Sequence, residues 1–359
     1  MLIRIFAENV SVLPEYIHIT SDIASSLEAF LASGSYSNTF ILVDENTERD
    51  CLPIIKKSLP EATTLIEIKS GEVNKHLETC KEIWEVLTEA NADRKALLIN
   101  LGGGVITDMG GFCAATYKRG IDFVNIPTTL LSQVDASIGG KLGVDFSGFK
   151  NHIGLFQIPN KVFIDSVFLK TLSFKELRSG FAEVIKHTLI SDEKAFYGLT
   201  EVSIQTIDWN RQIEASLEIK NEIVEADPKE NGRRKLLNYG HTIGHAIETY
   251  YLDTSKHLRH GEAIAIGMIA EGFLSVRKSG MPEQELETLT SYLVETYKPQ
   301  PVVKEDIEEI TRLALQDKKN IGSKINCVLL NQIGKAEFDI EITSQEILEA
   351  IEYYNTQIK

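Results

Sequence analysis

The chain has 359 residues, of which 43% are hydrophobic and 25% are charged, and its formal net charge is −15. This composition is typical of a globular protein, and the length suggests two domains. The negative charge argues against nucleic acid or an anionic membrane surface as the main partner, but it allows an anionic small substrate in a locally positive pocket. Four widely spaced cysteines and the lack of a signal sequence or long apolar run lead us to expect a cytoplasmic protein with reduced thiols.

The first half of the chain alternates short apolar runs with helical patterns. An amphipathic helix is predicted at 75–90, between two of these runs. The predicted strands are 39–44, 62–68, 96–101, 122–126 and 162–165. Strands that alternate with helices predict a parallel, doubly wound sheet covered on both faces. We therefore predict an α/β domain over residues 1–172.

After residue 172 the pattern becomes helical. The predicted helices are 174–191, 207–226, 239–251, 261–278, 283–297 and a terminal one at 344–354. A hairpin is predicted from 324–330 and 335–340, on either side of Gly334. Residues 173–359 are therefore predicted to form a second, mainly α-helical domain.

A glycine-rich segment, residues 101–111, follows a predicted strand and opens a helical pattern. Adjacent glycines let backbone N–H groups approach a diphosphate, and a helix N-terminus stabilises its charge. Asp44, at the end of an earlier strand, is placed to accept hydrogen bonds from a ribose. The segment lacks the G-x-G-x-x-G pattern, so a tight turn with packing glycines stays an alternative.

Polar residues stand among glycines and apolar residues in the segment 127–152. They are Asp135, Lys141, Asp145, Lys150 and Asn151. Lysines act as point charges for a phosphate and an asparagine orients it, so the segment favours a phosphate-bearing substrate. A charged surface loop is the alternative.

Histidines are concentrated in the segment 234–245 and at position 260. His241 and His245 are four residues apart, so on a helix their side chains project from one face, about 6 Å apart along the axis. Asn238 and Arg234 precede His241 by three and seven residues. We therefore predict one helical face that carries a guanidinium, an amide and two imidazoles.

A further helix brings Glu183 and, three residues later, Lys186. Glu183 and the three histidines His241, His245 and His260 provide the nitrogen and oxygen donors that zinc prefers. Spacing alone leaves open which three of these four bind a metal. Buried structural histidines with a salt-bridging glutamate are the alternative, and the nearby cations weaken it.

Long motifs in this chain resemble those of the 3-dehydroquinate synthases, a family of sugar-phosphate cyclases. The matching segments are 102–108, 127–141, 183–186 and 237–245, and they lie in the family's order between about residues 44 and 320. The resemblance implies a Rossmann-like, NAD-binding α/β domain, a helical domain that binds metal and substrate, and a homodimer. It also implies NAD⁺ and a divalent metal, zinc or cobalt, as cofactors.

Matching positions imply a role for individual residues. The implied metal ligands are Glu183, His241 and His260. The residues implied to contact the substrate or act in catalysis are Asp135, Lys186, Lys220, Arg234, Asn238 and His245. The residues implied to contact NAD⁺ are Asp44, Glu72, Lys75, Gly103, Gly104, Asp108, Thr128, Thr129, Lys141 and Lys150. Substrate phosphate is implied to contact Lys141, Asn151 and, from the other subunit, Arg119. The segment 317–319 also matches a family motif, which leaves open whether Lys318 or Lys319 enters the site.

The reaction implied is the conversion of 3-deoxy-D-arabino-heptulosonate 7-phosphate to 3-dehydroquinate and phosphate in the shikimate pathway, which serves aromatic amino acid biosynthesis. It proceeds through transient oxidation by NAD⁺, β-elimination of phosphate, re-reduction, ring opening and aldol closure. Cyclases of sugar phosphates without a carboxylate alter positions such as Lys220 and Asn238, which are kept here. A polyol dehydrogenase would not need this cluster of lysines, and a non-catalytic scaffold would have lost a metal ligand.

Overall fold

The computed structural model describes residues 13–147, 149–252, 254–315 and 325–358. The strands are β1 (Ile17–Ile19), β2 (Thr39–Asp44), β3 (Thr64–Ile68), β4 (Leu97–Gly102), β5 (Asp122–Pro127), β6 (Lys141–Phe146), β7 (Phe149–Phe156), β8 (Lys161–Ile164), β9 (Ile325–Gln332) and β10 (Lys335–Ile342). The helices are α1 (Ile23–Ser33), α2 (Glu45–Asp50), α3 (Leu52–Ile55), α4 (Leu77–Glu89), α5 (Gly104–Thr116), α6 (Phe174–Ser191), α7 (Glu193–Thr200), α8 (Trp209–Ala226), α9 (His241–Tyr251), α10 (His260–Ser279), α11 (Glu283–Tyr297), α12 (Ile307–Leu315) and α13 (Ser344–Gln357).

Six strands form one parallel sheet in the order β1-β8-β5-β4-β2-β3. All five predicted strands are confirmed in it. The sixth, β1, was missed because its three residues are too short to show alternation.

Helices cover the sheet on both faces because successive side chains of a strand point in opposite directions. Phe40 and Leu42 pack with α4 and α5, whereas Ile41 and Val43 pack with α1 and α3. Both sets are buried, so the central strands read as continuous apolar runs. The predicted doubly wound α/β architecture is confirmed.

The chain leaves two neighbouring strands of this sheet on opposite faces. From β2 it continues into α2 and α3, and from β4 it continues into α5 on the other side. Such a switch point opens a crevice at the carboxyl ends of the two strands, where ligands of open α/β sheets bind. Asp44 ends β2 and the glycine loop follows β4, so both lie at this crevice.

The second half of the chain packs around α10, which contacts α6, α9, α11 and α13. The predicted C-terminal hairpin and terminal helix are confirmed as β9–β10 and α13. The helical core also includes Leu130, Val134 and Ile164 from before residue 172, so the division at that residue stays a prediction. Among the described residues, no helix combines the length and the apolar character that crossing a bilayer requires.

An antiparallel hairpin, β6–β7, was not predicted. It carries Lys141, Lys150 and Asn151, which the sequence placed in an undivided polar segment. Glycines, an asparagine and charged residues disfavour a strand on intrinsic grounds, and tertiary packing overrides that preference here. Asp145 of this hairpin forms an isolated parallel β-bridge with His76, and its backbone N–H donates to the carbonyl oxygen of Lys75 at 2.8 Å. These contacts tie the hairpin to the α/β half.

The predicted continuous helical face from residue 234 to residue 245 is wrong. Arg233–Asn238 form a 3₁₀ turn, and α9 begins only at His241. Gly240, with φ 79° and ψ −10°, is left-handed and interrupts the helix between them. The carboxylate of Glu271, on α10, fixes the break because it accepts hydrogen bonds from the N–H groups of Gly240 (2.6 Å) and Ile243 (3.0 Å).

Candidate active site

Three helices bring a carboxylate and two imidazoles together. Glu183 lies in the middle of α6, whereas His241 and His260 are the first residues of α9 and α10. One ligand atom from each of the three lies within 4.8 Å of the others. Glu183 Oε1 is 3.2 Å from His260 Nε2 and 3.5 Å from His241 Nε2.

Glycines of α10 make this convergence possible because they let neighbouring backbones approach closely. A Cβ on Gly261 would lie 2.0 Å from the carbonyl oxygen of Ser179, one turn before Glu183 on α6. A Cβ on Gly267 would lie 2.0 Å from the carbonyl oxygen of Gly240, next to His241. Any side chain at these two glycines would push α6 and α9 away from α10.

The two imidazoles present the same nitrogen to the centre of this group. His241 Nδ1 lies 3.0 Å from the carbonyl oxygen of Tyr239, and His260 Nδ1 lies 3.3 Å from Glu248 Oε2. A histidine whose Nδ1–H donates outwards has its Nε2 lone pair available for a metal. The donor set and its tautomers therefore fit a divalent metal such as zinc.

Electrostatics also favour a cation at this centre. Burial would raise the pKa of Glu183, but Lys186, His241 and His260 hold that pKa well below its usual range. Burial would lower the pKa of His260, but hydrogen bonds to Glu183 and Glu248 raise it to about 9. The carboxylates of Glu183 and Glu248 thus stabilise positive charge at His260, and a metal that binds there would displace the proton from Nε2.

Among the described residues, two other groups have metal-like spacing. One shares His260 and adds His245 and Glu248, and the other joins Glu183 with Asp135 and His187. The ring of His245 stacks edge-on against that of His241, with centroids 4.8 Å apart, and lies 5.8 Å from the ring of His260. His245 therefore borders the Glu183 centre.

Buried cations lie beside this centre. Lys186, Lys220 and Arg234 are between 1% and 5% exposed. Lys186 pairs with Glu183, and Lys220 donates to Asp135 Oδ1 at 2.7 Å. Burial lowers the pKa of Lys220, and Asp135 offsets part of that effect. Buried cationic donors of this kind suit an anionic ligand.

Lys141 reaches the helical half across the gap between the β6–β7 hairpin and the segment after α8. Its ammonium pairs with Glu230, whose other carboxylate oxygen accepts from Asn238 Nδ2 at 2.9 Å. Glu230 has a φ of 60°, which is uncommon outside glycine. The carboxylate of Glu230 therefore lies between Lys141 and Asn238, two residues that were predicted to bind the substrate.

The N-terminus of α5 lies at the crevice of the sheet. Gly103 caps this helix, and its position is pressed against Thr129, because a Cβ there would lie 3.0 Å from Thr129 Cγ2. A Cβ on Gly104 would meet no atom within 4 Å, so the space in front of the first turn is open. Asp44 faces the same crevice, but its carboxylate caps α2 by accepting from the backbone N–H groups of residues 46 and 47 at 2.9 and 2.8 Å. The buried Thr128 follows β5 beside this loop.

Lys75 links this crevice to the hairpin. Its ammonium is buried and lies 2.7 Å from Asp108 Oδ2 and 2.8 Å from Asn151 Oδ1. Burial would lower the pKa of Lys75, but the charges of Asp108 and Glu72 raise it. The predicted cofactor residue Lys75 thus contacts both the predicted cofactor residue Asp108 and the predicted phosphate residue Asn151.

Family models and known proteins agree on what this arrangement resembles. Residues 65–179 match the model of the 3-dehydroquinate synthase N-terminal domain, and residues 180–320 match that of its C-terminal domain. The chain belongs to the 3-dehydroquinate synthase family. The predicted family resemblance is confirmed.

Curated and solved relatives extend the match over nearly the whole chain. A 3-dehydroquinate synthase from Parabacteroides distasonis is 41% identical over 94% of this chain and 96% of its own. A 2-epi-5-epi-valiolone synthase from Streptomyces hygroscopicus, solved with NAD⁺ and Zn²⁺, covers 99% of both chains at 24% identity and a TM-score of 0.85. A 2-deoxy-scyllo-inosose synthase, solved with carbaglucose-6-phosphate, NAD⁺ and Co²⁺, covers 94% of this chain and 96% of its own at 24% identity and a TM-score of 0.82. The two structures establish the shared fold.

The structure brings most of the predicted site residues into two neighbouring regions, the Glu183–His241–His260 group and the sheet crevice. Arg119 is an exception. It is exposed beyond the C-terminal end of α5, about 20 Å along that helix from Gly104. Within one chain it is therefore not part of the site. The segment 317–319, with Lys318 and Lys319, lies outside the described residues.

Two carboxylates at the site were missed by the sequence reasoning. Glu248 follows His245 by three residues on α9, so helical periodicity could have found it. Glu230 offers no such signal, because its partners Lys141 and Asn238 come from a distant hairpin and from a 3₁₀ turn. Only the tertiary fold brings these groups together.

Proposed function

We propose that this chain is a 3-dehydroquinate synthase, a carbon–oxygen lyase of the shikimate pathway. It converts 3-deoxy-D-arabino-heptulosonate 7-phosphate to 3-dehydroquinate and phosphate. The observation that carries the proposal is the convergence of two imidazoles and a carboxylate beside three buried cations. The proposal includes a cytoplasmic homodimer, in which each chain has a nucleotide-binding domain (1–172) and a helical domain (173–359).

The proposed cofactors are NAD⁺ and a divalent metal, zinc or cobalt. Glu183, His241 and His260 would hold the metal, and NAD⁺ would lie at the sheet crevice against Gly103 and Gly104. The two synthase structures of this fold that contain both cofactors support this assignment. When bound, the metal polarises a substrate hydroxyl, and NAD⁺ accepts a hydride and gives it back.

The substrate carboxylate and hydroxyls would contact Lys220, Arg234 and Asn238. Asp135 holds the Lys220 ammonium in place at 2.7 Å, so this cation is oriented before the substrate arrives. His245 would hold a substrate hydroxyl, since its ring borders the proposed metal centre. Lys186 would keep Glu183 ionised, through the ion pair described above.

The phosphate would bind at Lys141 and Asn151 on the β6–β7 hairpin. Lys141 pairs with Glu230, so an incoming phosphate would compete with that carboxylate for the ammonium. The departing phosphate carries negative charge that these donors stabilise. Arg119 would reach this phosphate from the second copy of the dimer. An Arg119→Ala chain with unchanged affinity for inorganic phosphate would rule out that contribution.

Phosphate release from the heptulosonate phosphate, with NAD⁺ below the enzyme concentration, tests the proposal. We expect many phosphates per NAD⁺, no turnover after chelation, and recovery when zinc or cobalt is added back. A matched substrate without a carboxylate, sedoheptulose 7-phosphate, should react much more slowly. NADH that accumulates stoichiometrically with a simple polyol would instead identify a dehydrogenase.

A further inference from the structure

Glu248 occupies a position between the metal centre and the β6–β7 hairpin. Glu248 is buried, with only 8% of its surface exposed. One carboxylate oxygen, Oε2, lies 3.3 Å from His260 Nδ1, and the other, Oε1, accepts a hydrogen bond from Lys150 Nζ at 2.9 Å. A single side chain of α9 thus connects a histidine of α10 with a lysine of β7.

The geometry of His260 distinguishes an orienting partner from a metal ligand. The two nitrogens of an imidazole point towards different edges of the ring. His260 directs Nε2 towards Glu183 Oε1, where the Nε2 of His241 also points, and directs Nδ1 towards Glu248. A metal on the shared side therefore leaves the Nδ1–H of His260 to donate to Glu248.

His241 has an outer partner of the same kind, the carbonyl oxygen of Tyr239. The two histidines differ in the charge of that partner, because a carbonyl is neutral and Glu248 is a carboxylate. A carboxylate that accepts from Nδ1–H fixes the tautomer and ring orientation and makes Nε2 a stronger donor to a metal. The stronger effect is thus expected at His260.

We infer that Glu248 is a positioning residue that orients His260 for the metal, and that Lys150 anchors Glu248 from the hairpin. The inference rests on the proposed function in one respect, the assignment of Glu183, His241 and His260 as ligands. It links metal affinity to the hairpin, which also carries Asn151. Contact between the two halves of the chain thereby sets how well the metal centre is formed.

Metal affinity of the Glu248→Gln chain tests the inference without relying on activity. Glutamine keeps the size of the side chain and an acceptor oxygen but removes the charge. Lys150 is not stranded by the change, because its side chain is 37% exposed. Competition between the protein and a chromophoric chelator for Zn²⁺ should show binding about 10- to 100-fold weaker than in the wild type, still with one metal per chain. With Co²⁺, the visible absorption bands should shift.

Asp306→Asn is the matched control. Asp306 also holds α9, since it accepts from the hydroxyls of Tyr250 (2.9 Å) and Tyr251 (2.8 Å), but it does not contact a proposed ligand. Its metal affinity should equal that of the wild type. Lys150→Met, which removes only the anchor, should weaken binding by less than Glu248→Gln.

Two outcomes would overturn the inference. Equal affinity in Glu248→Gln and the wild type would show that the carboxylate does not support His260. Complete loss of metal from a folded Glu248→Gln chain would show that Glu248 is itself a ligand. If the metal-free Glu248→Gln chain melts at a lower temperature than the wild type, its metal affinity no longer isolates the role of the carboxylate, and the Lys150→Met chain becomes the deciding variant. Unchanged metal affinity in the Lys150→Met chain would contradict the role of Lys150 as the anchor of Glu248. A wild type that binds no metal would refute the proposed function instead.

Discussion

Replacing Gly240 with alanine tests the break in the chain that separates Asn238 from His241. The φ of Gly240 is 79°, and the left-handed region costs an alanine roughly 1–2 kcal/mol. A Cβ would also lie 2.6 Å from Met268 Cγ and 3.2 Å from the carbonyl oxygen of Ile264, and overpacking of this kind typically costs about 1–3 kcal/mol. The free energy of unfolding should therefore fall by about 2–5 kcal/mol.

Gly280→Ala is the control for this change, because Gly280 has the same φ of 79° but a Cβ there meets no atom within 4 Å. It should lose only the conformational part, roughly 1–2 kcal/mol. Urea unfolding of both metal-free chains, followed by circular dichroism, measures the difference. An uninterrupted helix would instead gain about 1 kcal/mol from Gly240→Ala, since alanine is the better helix former. A Gly240→Ala chain as stable as the wild type, or more stable, would contradict the left-handed break at Gly240.

Three further predictions concern other parts of the molecule. Burial lowers the pKa of His187 from 6.5 to about 3, so between these two pH values only the unfolded chain binds a proton, and the free energy of unfolding should fall as the pH drops below 6.5. In urea titrations at about pH 5, His187→Asn should remove about 2 kcal/mol of this pH-dependent loss of stability. An unchanged pH dependence in the variant would contradict the prediction. Gly104→Ala should leave the melting temperature unchanged but weaken NAD⁺ binding about tenfold in a fluorescence titration. Gly110→Ala, whose Cβ would lie 2.0 Å from Asn100 Oδ1, should instead destabilise the chain by about 1–3 kcal/mol. The reverse pattern would contradict the proposed nucleotide site. Lys220→Met should lower kcat/KM for the heptulosonate phosphate about 10- to 100-fold in the phosphate-release assay, and an unchanged value would exclude its role.

Much of the fold follows from local pattern. The buried strands β2 and β4 and the helices α6 and α11 lie where hydrophobic runs and helical periodicity predicted them. The β6–β7 hairpin could not be predicted in this way, because glycines, an asparagine and charged residues interrupt its apolar residues and its pairing depends on packing. The break at Gly240 was missed for a related reason, since the sequence does not reveal that Glu271, on another helix, caps α9.

For the candidate site, too, the sequence predicted one part of the arrangement and only the structure shows the other. Spacing alone grouped His241 with His245, and the family resemblance is what selected Glu183, His241 and His260. The structure adds which nitrogen of each histidine faces Glu183, a tautomer choice that depends on outer partners such as Glu248. Long-range contacts of this kind leave no periodic trace in a sequence.

The metal content of four single variants tests the central claim most directly. Glu183→Gln, His241→Asn, His260→Asn and His245→Asn would be purified, loaded with Zn²⁺, freed of excess metal and measured for zinc per chain. The proposed ligand set predicts that the first three lose the metal, whereas His245→Asn retains one zinc per chain and loses turnover. If His245→Asn loses zinc as completely as His241→Asn, or if His260→Asn keeps it, the proposed metal centre is wrong.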